Sequence, residues 1–391
     1  MRLLFLHNKY LVAGGEDVSS QAEADLLRQA GHYVDYVSVD NADIIKKNFI
    51  SLALNTFWSN SYYNKVEELI KRNSYDLIHV QNFFPQISPS VFYAAKKHGT
   101  KIVMSVRNYR LVCPNALMYV NGNICDKCVG LSFPYPAIRH KCYKNDVAAT
   151  SVATGMMTMH NIMNTWNAKI DGFITISEFV KKQLIKGGVS SDKIHVKYNF
   201  VNAPFIPQPI EIYNRYLYVG RLSTEKGVTN MLDAFNHPKL RNYKLTIVGD
   251  GPYMSLVQNA VANNSNIEYL GKLSLADTYL LMSKSKALVF PSTWHEPFGR
   301  TVVESFAVGT PVIGSKLGGV TELIQDGYNG YLFDPYNIDS IVDSIIKIDL
   351  CSEYDILRAN AKKSYEERFT AEINYQHVIK IYSEVLCKTV L

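Results

Sequence analysis

Residues 290–324 read FPSTWHEPFGRTVVESFAVGTPVIGSKLGGVTELI and contain the end of a strand, a polar loop and the start of a helix. The apolar residues 287–290 (ALVF) predict a buried parallel strand, and a proline and a glycine mark the turn that follows it. A helix is expected from about Arg300 to Val308. This order of strand, loop and helix is typical of an α/β fold with a parallel sheet.

Two carboxylates of this segment, Glu296 and Glu304, are separated by seven residues across the predicted helix start. Glu296 lies in the loop before the helix, where free backbone N–H groups and the positive end of the helix dipole favour anions. Glu304 lies about one turn inside the helix and is expected to face the same side. A sugar nucleotide offers hydroxyls for both carboxylates and a diphosphate for the helix N-terminus. The alternative is that both glutamates are solvated surface charges.

The length of 391 residues is too great for one small core and suggests two domains of about 200 residues each. No run of about 18 consecutive apolar residues occurs, which argues against a membrane-spanning helix. The apolar run in the N-terminal sequence MRLLFLHNKY is too short for a signal-peptide core. We therefore expect a cytoplasmic protein.

Both halves of the chain alternate short apolar strands with amphipathic helices. In the first half the predicted strands are residues 3–6, 33–39, 77–80, 101–105, 172–176 and 194–197. In the second half they are residues 216–219, 244–248, 267–270, 287–290, 312–314 and 330–333. The pattern predicts an α/β protein with two doubly wound, Rossmann-like parallel-sheet domains facing a cleft. Ligands of such sheets bind beyond the carboxyl ends of the strands.

The domain boundary is expected in residues 199–215 (NFVNAPFIPQPIEIYNR), which are rich in proline and asparagine and lack periodicity. We place the first domain at 1–203, with a cysteine-rich insert at 109–145, and the second domain at 204–369. The final segment, 370–391, has a helical pattern and is expected to pack back on the first domain.

The net charge of +6 is distributed unevenly. Residues 1–205 hold 23 Lys and Arg against 15 Asp and Glu, whereas residues 206–391 hold 18 against 20. The first half is therefore the better contact for an anionic surface, although an ordinary spread of surface lysines is the alternative. Nucleic acid is not an expected partner, because no RNP motif, helix-turn-helix or basic run interleaved with aromatics is present.

Several predicted strand ends carry groups suited to phosphate. Arg221 and Lys226, in GRLSTEKG, follow the first strand of the second half, and two cations there can neutralise a diphosphate. Gly249, in VGDGP, allows backbone to approach a nucleotide, which is a weak signal by itself. Gly14 and Gly15 precede a predicted helix and can direct backbone N–H groups at a phosphate. The alternatives are surface cations and plain flexible turns.

Five motifs occur together along the chain: AGGED near the N-terminus, ISEFVKK, GRLSTEKG, VGDGP and HEPFGRTVVESFAVGTPVIGS. In these motifs and their order, the chain resembles the retaining glycosyltransferases of family 4 (group 1), which have the GT-B fold and a Glu-x7-Glu motif. The resemblance covers essentially the whole chain. It implies transfer of a sugar from a UDP- or GDP-linked donor to an acceptor hydroxyl, with retention of the anomeric configuration.

The resemblance also implies roles for individual residues. The position of Glu304 holds the ribose of the nucleotide, and the position of Glu296 lies beside the transferred sugar. The other positions that the resemblance assigns to the donor are Arg221 and Lys226 on the diphosphate and Pro297, Phe298 and Gly299 on the sugar.

The chemistry that the resemblance implies uses no divalent metal or other catalytic cofactor. The leaving phosphate helps to deprotonate the acceptor on the same face of the sugar. Arg221 and Lys226 then stabilise the negative charge that grows on the diphosphate. Glu296 positions the sugar or stabilises its cationic character.

One departure from the family pattern lies after the strand at 101–105. Relatives carry a segment like His-Asn-Tyr-Arg there, whereas this chain has Arg107 in place of the histidine. An arginine is not a base at neutral pH. We therefore assign Arg107 to the catalytic set as an anchor for the donor phosphate or for an acidic acceptor.

Four of the six cysteines, Cys113, Cys125, Cys128 and Cys142, lie in the insert with the spacing C-x11-C-x2-C-x13-C. One close pair with two flanking thiols favours a structural zinc site, and the expected cytoplasmic setting argues against disulfides. His140 is an alternative ligand. The competing interpretation is a set of unconnected core cysteines.

The acceptor is suggested by the basic and aromatic residues at 127–144, which include PYPAIRHKCYK. Such a surface suits peripheral contact with a membrane, where relatives meet lipid-linked saccharides. We therefore predict a glycan or lipid-linked acceptor in capsule, O-antigen or exopolysaccharide synthesis, at the inner face of a bacterial membrane.

Two other functions remain open at this point. A nucleotide-sugar 2-epimerase shares the GT-B architecture and binds a nucleotide diphosphate, but isomerises its own sugar without an acceptor. A non-catalytic sugar-nucleotide-binding protein is suggested by the departure at Arg107.

Overall fold

The computed structural model describes residues 1–11, 14–41, 43, 48–206 and 210–387. The chain divides into two compact units. The first consists of Met1–Val120, Cys125–Tyr198 and the C-terminal stretch from Asn374, and the second consists of Asn121–Ile124 and Asn199–Ile373. No helix within the described ranges is both long enough and apolar enough to cross a membrane.

The first unit is built on a six-stranded parallel sheet with the order β2-β1-β3-β4-β7-β8. Within the cysteine-rich insert, β5 pairs with β6 in a separate two-stranded sheet. The strands that precede residue 199 are β1 (Arg2–Lys9), β2 (Tyr33–Asp40), β3 (Leu77–Asn82), β4 (Lys101–Val106), β5 (Tyr119–Val120), β6 (Asn123–Ile124), β7 (Gly172–Thr175) and β8 (Ile194–Val196).

Helices connect these strands, as parallel pairing requires. They are α1 (Gly15–Gln29), α2 (Phe49–Phe57), α3 (Asn60–Asn73), α4 (Ser90–Lys97), α5 (Tyr135–Arg139), α6 (Val147–Ile162), α7 (Thr165–Lys169) and α8 (Glu178–Lys186). The strands β1 and β3 are almost entirely buried, which is expected of a parallel sheet covered on both faces.

The second unit is built on another six-stranded parallel sheet, with the order β11-β10-β9-β12-β13-β14. Its strands are β9 (Tyr213–Val219), β10 (Lys244–Val248), β11 (Ile267–Tyr269), β12 (Ser285–Phe290), β13 (Val312–Ser315) and β14 (Gly330–Phe333). This is the strand order of a dinucleotide-binding Rossmann sheet, in which the order reverses between the first and fourth strands.

The helices of the second half are α9 (Val228–Phe235), α10 (Met254–Asn263), α11 (Leu275–Lys284), α12 (Arg300–Ala307), α13 (Ile338–Asp349), α14 (Tyr354–Arg368) and α15 (Ala371–Cys387). Short 3₁₀ turns precede or replace a helix at Thr224–Lys226 and Gly318–Glu322. A buried hydrophobic core surrounds the sheet and includes Tyr216, Leu245, Val289 and Ile345.

Each strand predicted from the sequence is present, with ends within three residues of those expected. Helix α12 also begins at Arg300 as predicted and ends one residue earlier than expected. The predicted linker 199–215 is shorter than expected, because β9 already begins at Tyr213; its residues 207–209 lie outside the described part of the chain. The two-domain α/β prediction is therefore confirmed at the level of sheets and connections.

The C-terminal helix α15 supplies part of the core of the first unit. Val378, Ile381, Tyr382 and Val385 are buried in the same cluster as residues of the first sheet. The hydroxyl of Tyr382 lies 2.6 Å from Nδ1 of His79, which belongs to β3. The sequence analysis placed a helix at 370–391 beside this domain, and residues 388–391 of that segment lie outside the described part.

Candidate active site

The residues predicted to bind the donor lie at the carboxyl edge of the second sheet. Arg221 and Lys226 follow β9, Gly249 follows β10 and Glu296 follows β12. Since β9 and β12 are neighbours where the strand order reverses, these loops border the crevice in which sheets of this order bind their ligands. The sheet thus brings together residues that are up to 75 positions apart in sequence.

Glu296 is held by three hydrogen-bond donors that all reach one carboxylate oxygen, Oε2. Lys226 Nζ lies 2.7 Å away, the indole Nε1 of Trp294 lies 2.9 Å away, and the hydroxyl of Ser292 lies 3.3 Å away. The Lys226 ammonium also lies 5.3 Å from the centroid of the Trp294 ring, within cation–π range. Within the described ranges no donor contacts Oε1, so that oxygen is available to a ligand hydroxyl.

A close backbone approach brings Lys226 to Glu296. Gly227 adopts φ +67°, and a Cβ built there lies 1.8 Å from the carbonyl oxygen of Pro291, so only glycine fits. The adjacent backbone N–H of Thr293 donates to the carbonyl of Glu225 at 2.9 Å. The loops after β9 and β12 are therefore fastened to each other by backbone contacts.

The loop that carries Glu296 is fixed from a third side by the turn after β13. The N–H of Gly319 donates to the backbone carbonyl of Glu296 at 2.8 Å. This turn is a short 3₁₀ helix, Gly318–Glu322, and its backbone supports a candidate catalytic residue.

Glu304 lies on α12 in an ion pair of its own. Its Oε1 accepts a hydrogen bond from Nε of Arg300 at 2.8 Å, and its side chain is largely buried. Burial raises the pKa of Glu304, and the neighbouring Arg300 opposes that shift. The two glutamates of the opening segment therefore hold different cations and have different environments.

Arg221 lies at the mouth of the same crevice with an exposed side chain. Its backbone carbonyl accepts a hydrogen bond from the Tyr218 hydroxyl at 2.7 Å, whereas no described residue pairs with its guanidinium. Gly249 adopts φ +146°, and a Cβ there would meet the carbonyl of Gly220 at 1.8 Å. Its absence of a side chain is therefore required by packing between the β9 and β10 loops.

Pro297, Phe298 and Gly299 connect the Glu296 loop to α12. Phe298 is 3% exposed, and its ring centroid lies 6.1 Å from that of Phe369 in an edge-to-face pair. Its side chain is thus part of the core, which leaves its backbone for contact with a donor. Gly299 precedes α12 with φ +104°.

In the first unit, Gly14 and Gly15 begin α1 as expected. The N–H of Gly14 donates to Oδ2 of Asp17 at 3.0 Å, and Asp17 also accepts from Nε2 of His7 at 2.7 Å. One of the backbone donors that the sequence analysis assigned to phosphate is therefore occupied by a carboxylate of the same helix. The predicted phosphate contact at Gly14 requires that capping bond to open.

Glu16, the next residue of α1, forms a polar cluster that sequence reasoning missed. Its Oε2 accepts hydrogen bonds from the Tyr10 hydroxyl at 2.9 Å and from the side-chain amide of Asn108 at 3.0 Å. Burial raises the pKa of Glu16, and the bonds from Asn108 and Tyr10 oppose that shift. The AGGED motif contained this residue, but only its glycines were interpreted.

Arg107 lies in a buried charge cluster of the first unit. Its guanidinium donates to Oε2 of Glu23 at 2.6 Å and to the amide oxygen of Gln81 at 3.2 Å. Lys197 Nζ lies 3.4 Å from the same Glu23 oxygen, and His79 Nδ1 lies 3.8 Å from the other. The sequence analysis expected a guanidinium directed at a donor phosphate or an acidic acceptor, whereas here it faces a carboxylate of α1.

Protonation in this cluster is set by burial and by the surplus of cations. Burial raises the pKa of Glu23, but Lys197 and Arg107 outweigh it and hold the pKa of Glu23 at about 2. Burial lowers the pKa of His79 to about 3, and the same two cations add to that effect. His79 is therefore neutral at physiological pH and bonds to Ser105 and Tyr382. The sequence did not predict that Glu23 and Lys197 belong to this cluster, because an isolated charged residue usually lies on the protein surface.

The four cysteines of the insert line one small cavity of about 10 Å³ in the first unit. Cys113 and Cys128 are buried, and Cys125 and Cys142 are partly buried. Among the described residues, no group of three or more His, Cys, Asp or Glu side chains already stands in a metal-binding arrangement. His140, the alternative ligand, does not line this cavity.

Comparison with known families agrees with this geometry. Residues 203–366, which contain the candidate donor site, match the family model of the group 1 glycosyl transferases. An uncharacterized 42.6 kDa protein in the cps region of Klebsiella pneumoniae is 27% identical over 359 residues, 84% of this chain and 88% of that protein. An uncharacterized glycosyltransferase of Methanocaldococcus jannaschii is 31% identical over 217 residues, 55% of this chain and 60% of that protein.

Solved structures share the fold over almost the full length of the chain. The crystal structure of Anabaena HepE in complex with UDP has a TM-score of 0.69 at 18% identity, with 98% of this chain and 100% of that chain covered. At that identity the likeness concerns the fold, which is GT-B. The family match is limited to residues 203–366, and together with these similar proteins it supports a glycosyltransferase enzyme.

We expect the Glu296→Gln substitution to lower the rate of sugar transfer by roughly 100- to 1,000-fold, the range found when one group that stabilises a transition state is lost. The amide keeps the size of the side chain but removes the charge that holds Lys226. Nucleotide affinity should change little. The measurement is the rate of sugar transfer and the donor Kd, each determined for the wild-type and the Glu296→Gln protein.

A matched control is Glu366→Gln, the same change on the exposed face of α14. It should leave both quantities unchanged. Full transfer activity in the Glu296 variant would contradict the assigned role.

We expect the buried cluster to make the first unit sensitive to acid. The pKa of His79 is lowered from 6.5 to about 3 in the folded protein. Below pH 6.5 the unfolded chain gains a proton that the folded chain does not, so stability falls as the pH drops toward 3. The apparent melting temperature across this range measures the effect.

The His79→Gln variant should show a shallower decline with falling pH, whatever its stability at neutral pH. The His237→Gln variant, at a partly exposed histidine of the second unit, should keep the wild-type slope. Equal slopes in all three proteins would exclude His79 as the source.

Proposed function

We propose that this chain is a retaining glycosyltransferase of family 4 that moves a sugar from a UDP- or GDP-linked donor to a lipid-linked saccharide. The proposed setting is capsule, O-antigen or exopolysaccharide synthesis in the cytoplasm, at the inner face of the membrane. The observation that carries the proposal is the convergence of Lys226, Trp294 and Ser292 on one oxygen of Glu296, at the carboxyl edge of a Rossmann sheet.

The Lys226–Glu296 pair suggests how the donor is received. Without a ligand, the ammonium neutralises the carboxylate at 2.7 Å. A diphosphate carries more charge than one carboxylate and attracts the ammonium and the exposed guanidinium of Arg221 to its own oxygens. Glu296 keeps its bonds to Trp294 and Ser292 and turns its other oxygen toward a sugar hydroxyl.

The same residues are placed to stabilise the charges that develop in the transfer step. As the bond between the sugar and the diphosphate breaks, negative charge grows on the leaving phosphate and positive charge grows on the sugar. Arg221 and Lys226 stabilise the first, and Glu296 stabilises the second. Because two protein cations supply the positive charge, the proposed step uses no divalent metal.

The nucleotide is expected to be held through Glu304 and its ribose hydroxyls. Burial raises the pKa of Glu304, but the ion pair with Arg300 favours the carboxylate that accepts hydrogen bonds from a diol. Because the Anabaena structure was crystallised with UDP, uridine diphosphate sugars come first in a donor panel.

A lipid-linked acceptor is supported by an apolar groove of about 410 Å³ in the first unit. Phe49, Leu52 and Ala53 of α2 form one wall, and Ala149 and Val152 of α6 form another. This size is typical of a site for a small organic ligand or part of a long chain. An isoprenoid or acyl chain is the occupant that such a lining favours.

Polar groups at the groove suit the head of the same ligand. Phe84, Tyr143 and Lys144 contribute to the lining, and the Arg110 guanidinium lies 4.1 Å from the centroid of the Phe84 ring. A phosphate that joins a hydrocarbon chain to a saccharide would meet these cations. The origin of the Klebsiella relative in a cps region further supports a polysaccharide pathway.

The decisive experiment is a transfer assay on the purified full chain. A thermal-shift panel of UDP- and GDP-sugars first identifies the donor, since a ligand at 100 times its Kd stabilises a protein by about 2.7 kcal/mol. That donor is then incubated with lipid-linked saccharides, and NMR of the product shows the anomeric configuration. We expect transfer with retention.

Other results would each reject a part of the proposal. Inversion would exclude the retaining mechanism, and transfer to soluble acceptors alone would exclude the lipid-linked acceptor. Conversion of the donor to its epimer without an acceptor would indicate a 2-epimerase. Donor binding without any turnover, even with membrane extracts, would indicate a binding protein.

We expect Leu52→Glu to raise the KM for a detergent-dispersed lipid-linked acceptor about tenfold or more, because it places a charge in the apolar groove. Donor affinity should not change, since Leu52 is not among the residues assigned to the donor. The same substitution at Leu54, which lies on α2 outside the groove lining, is the control. Equal KM values for the Leu52 and Leu54 variants would exclude this groove as the binding site of the acceptor.

A further inference from the structure

The cysteine insert has a site that the proposed transfer reaction does not use. Four of the six cysteines lie between β4 and α6, and all four line the same cavity. Its volume of about 10 Å³ is close to the minimum that holds one water-sized sphere. The other two cysteines, Cys351 and Cys387, lie on or near helices elsewhere in the chain.

Two of the thiols make hydrogen bonds within the insert. Cys113 Sγ donates to the side-chain oxygen of Asn115 at 2.9 Å, and Cys128 Sγ donates to the carbonyl oxygen of Pro134 at 3.8 Å. A metal that binds these sulfurs takes the place of the thiol protons that make these two contacts.

The charge of the surrounding segment suits a thiolate site. Residues 109–145 contain five Lys or Arg and one acidic residue. Four thiolates around a divalent ion leave a net charge of about −2, which these cations balance.

The insert also lacks the secondary structure that normally holds a segment of this length. Its regular elements are the two-residue strands β5 and β6 and the five-residue helix α5. Of the nine non-glycine residues with positive φ in the described ranges, six lie in residues 116–145. Each such residue is unfavourable by about 1–3 kcal/mol, so a cross-link is the expected compensation.

We propose that Cys113, Cys125, Cys128 and Cys142 bind one structural zinc ion in the first unit. The C-x2-C pair and the two flanking thiols provide the four soft ligands of a closed tetrahedral site. Within the described part of the chain the thiols do not stand in a metal-binding arrangement, so zinc binding requires these side chains to reorient. Binding releases the thiol protons to solvent, and no oxidation takes place.

The zinc ion would join the two ends of the insert. Cys113 lies three residues after Arg110, and Cys142 precedes Tyr143, whose ring centroid lies 5.0 Å from the Arg110 guanidinium. The ion thus fixes the pair of side chains that borders the apolar groove. This consequence is structural and does not depend on which sugar is transferred.

The test is metal analysis of the full chain, purified under reducing conditions without chelator and measured by elemental mass spectrometry. We expect about one zinc per chain. The Cys125→Ser and Cys128→Ser variants should lose it, whereas Cys351→Ser and Cys387→Ser should keep it. The serine changes at positions 351 and 387 are matched controls for the loss of a thiol.

A second measurement covers variants that fail to fold. The wild-type protein is stripped with a chelator and titrated with cobalt(II), which should give the absorption bands of a tetrahedral cobalt–thiolate centre and restore the melting temperature. The absence of zinc in the purified protein, together with the absence of these bands, would overturn the proposal. Recovery of the four cysteines as two disulfides from protein purified under reducing conditions would do so as well.

Discussion

The contact between the backbone at Gly227 and the carbonyl of Pro291 is the constraint on which the candidate donor site depends. It holds the loops after β9 and β12 closer than any side chain permits, so that Lys226 and Glu296 meet at 2.7 Å. A surface ion pair between flexible loops contributes little and is readily screened. Here the indole of Trp294 holds the carboxylate, and the Gly319 N–H holds the backbone carbonyl of Glu296, before a ligand arrives. Preorganisation of this kind lowers the free energy of reorganisation during catalysis.

The first unit contains a buried charge cluster instead of a preorganised ion pair at a strand end. Glu23, Arg107, Lys197 and His79 are withdrawn from water, and the two cations share the single carboxylate of Glu23 inside the protein. Such a cluster seldom contributes more to stability than well-packed apolar residues would. It does require one arrangement of β3, β4, α1 and α15, because displacement of Glu23 leaves unpaired charges and displacement of the others breaks buried hydrogen bonds. The bond from Arg107 to Glu23 therefore fixes the start of the loop after β4.

The sequence predicted the strands and helices well, but it predicted the contacts between distant side chains poorly. Alternating apolar strands and helices are local patterns, so the strands and α12 were placed within three residues. Glu296 was found because it lies between a strand and a helix in one segment. Its partner Lys226 was predicted to bind the donor diphosphate. The ion pair between the two was missed because it joins residues 70 positions apart. The buried role of Glu23 and Lys197 was invisible, since nothing local distinguishes a buried charge from a solvated one.

The return of α15 to the first unit has a consequence for how the chain is made. A ribosome releases residues from the N-terminus onward, and domains generally fold as units during synthesis. The second unit is complete once residue 373 has emerged, whereas the first still lacks Val378, Ile381 and Tyr382. The half that is synthesised first is therefore the half that finishes its core last. Until then its sheet exposes the apolar strip that α15 covers in the folded chain, and exposed apolar surface of this kind is what chaperones bind.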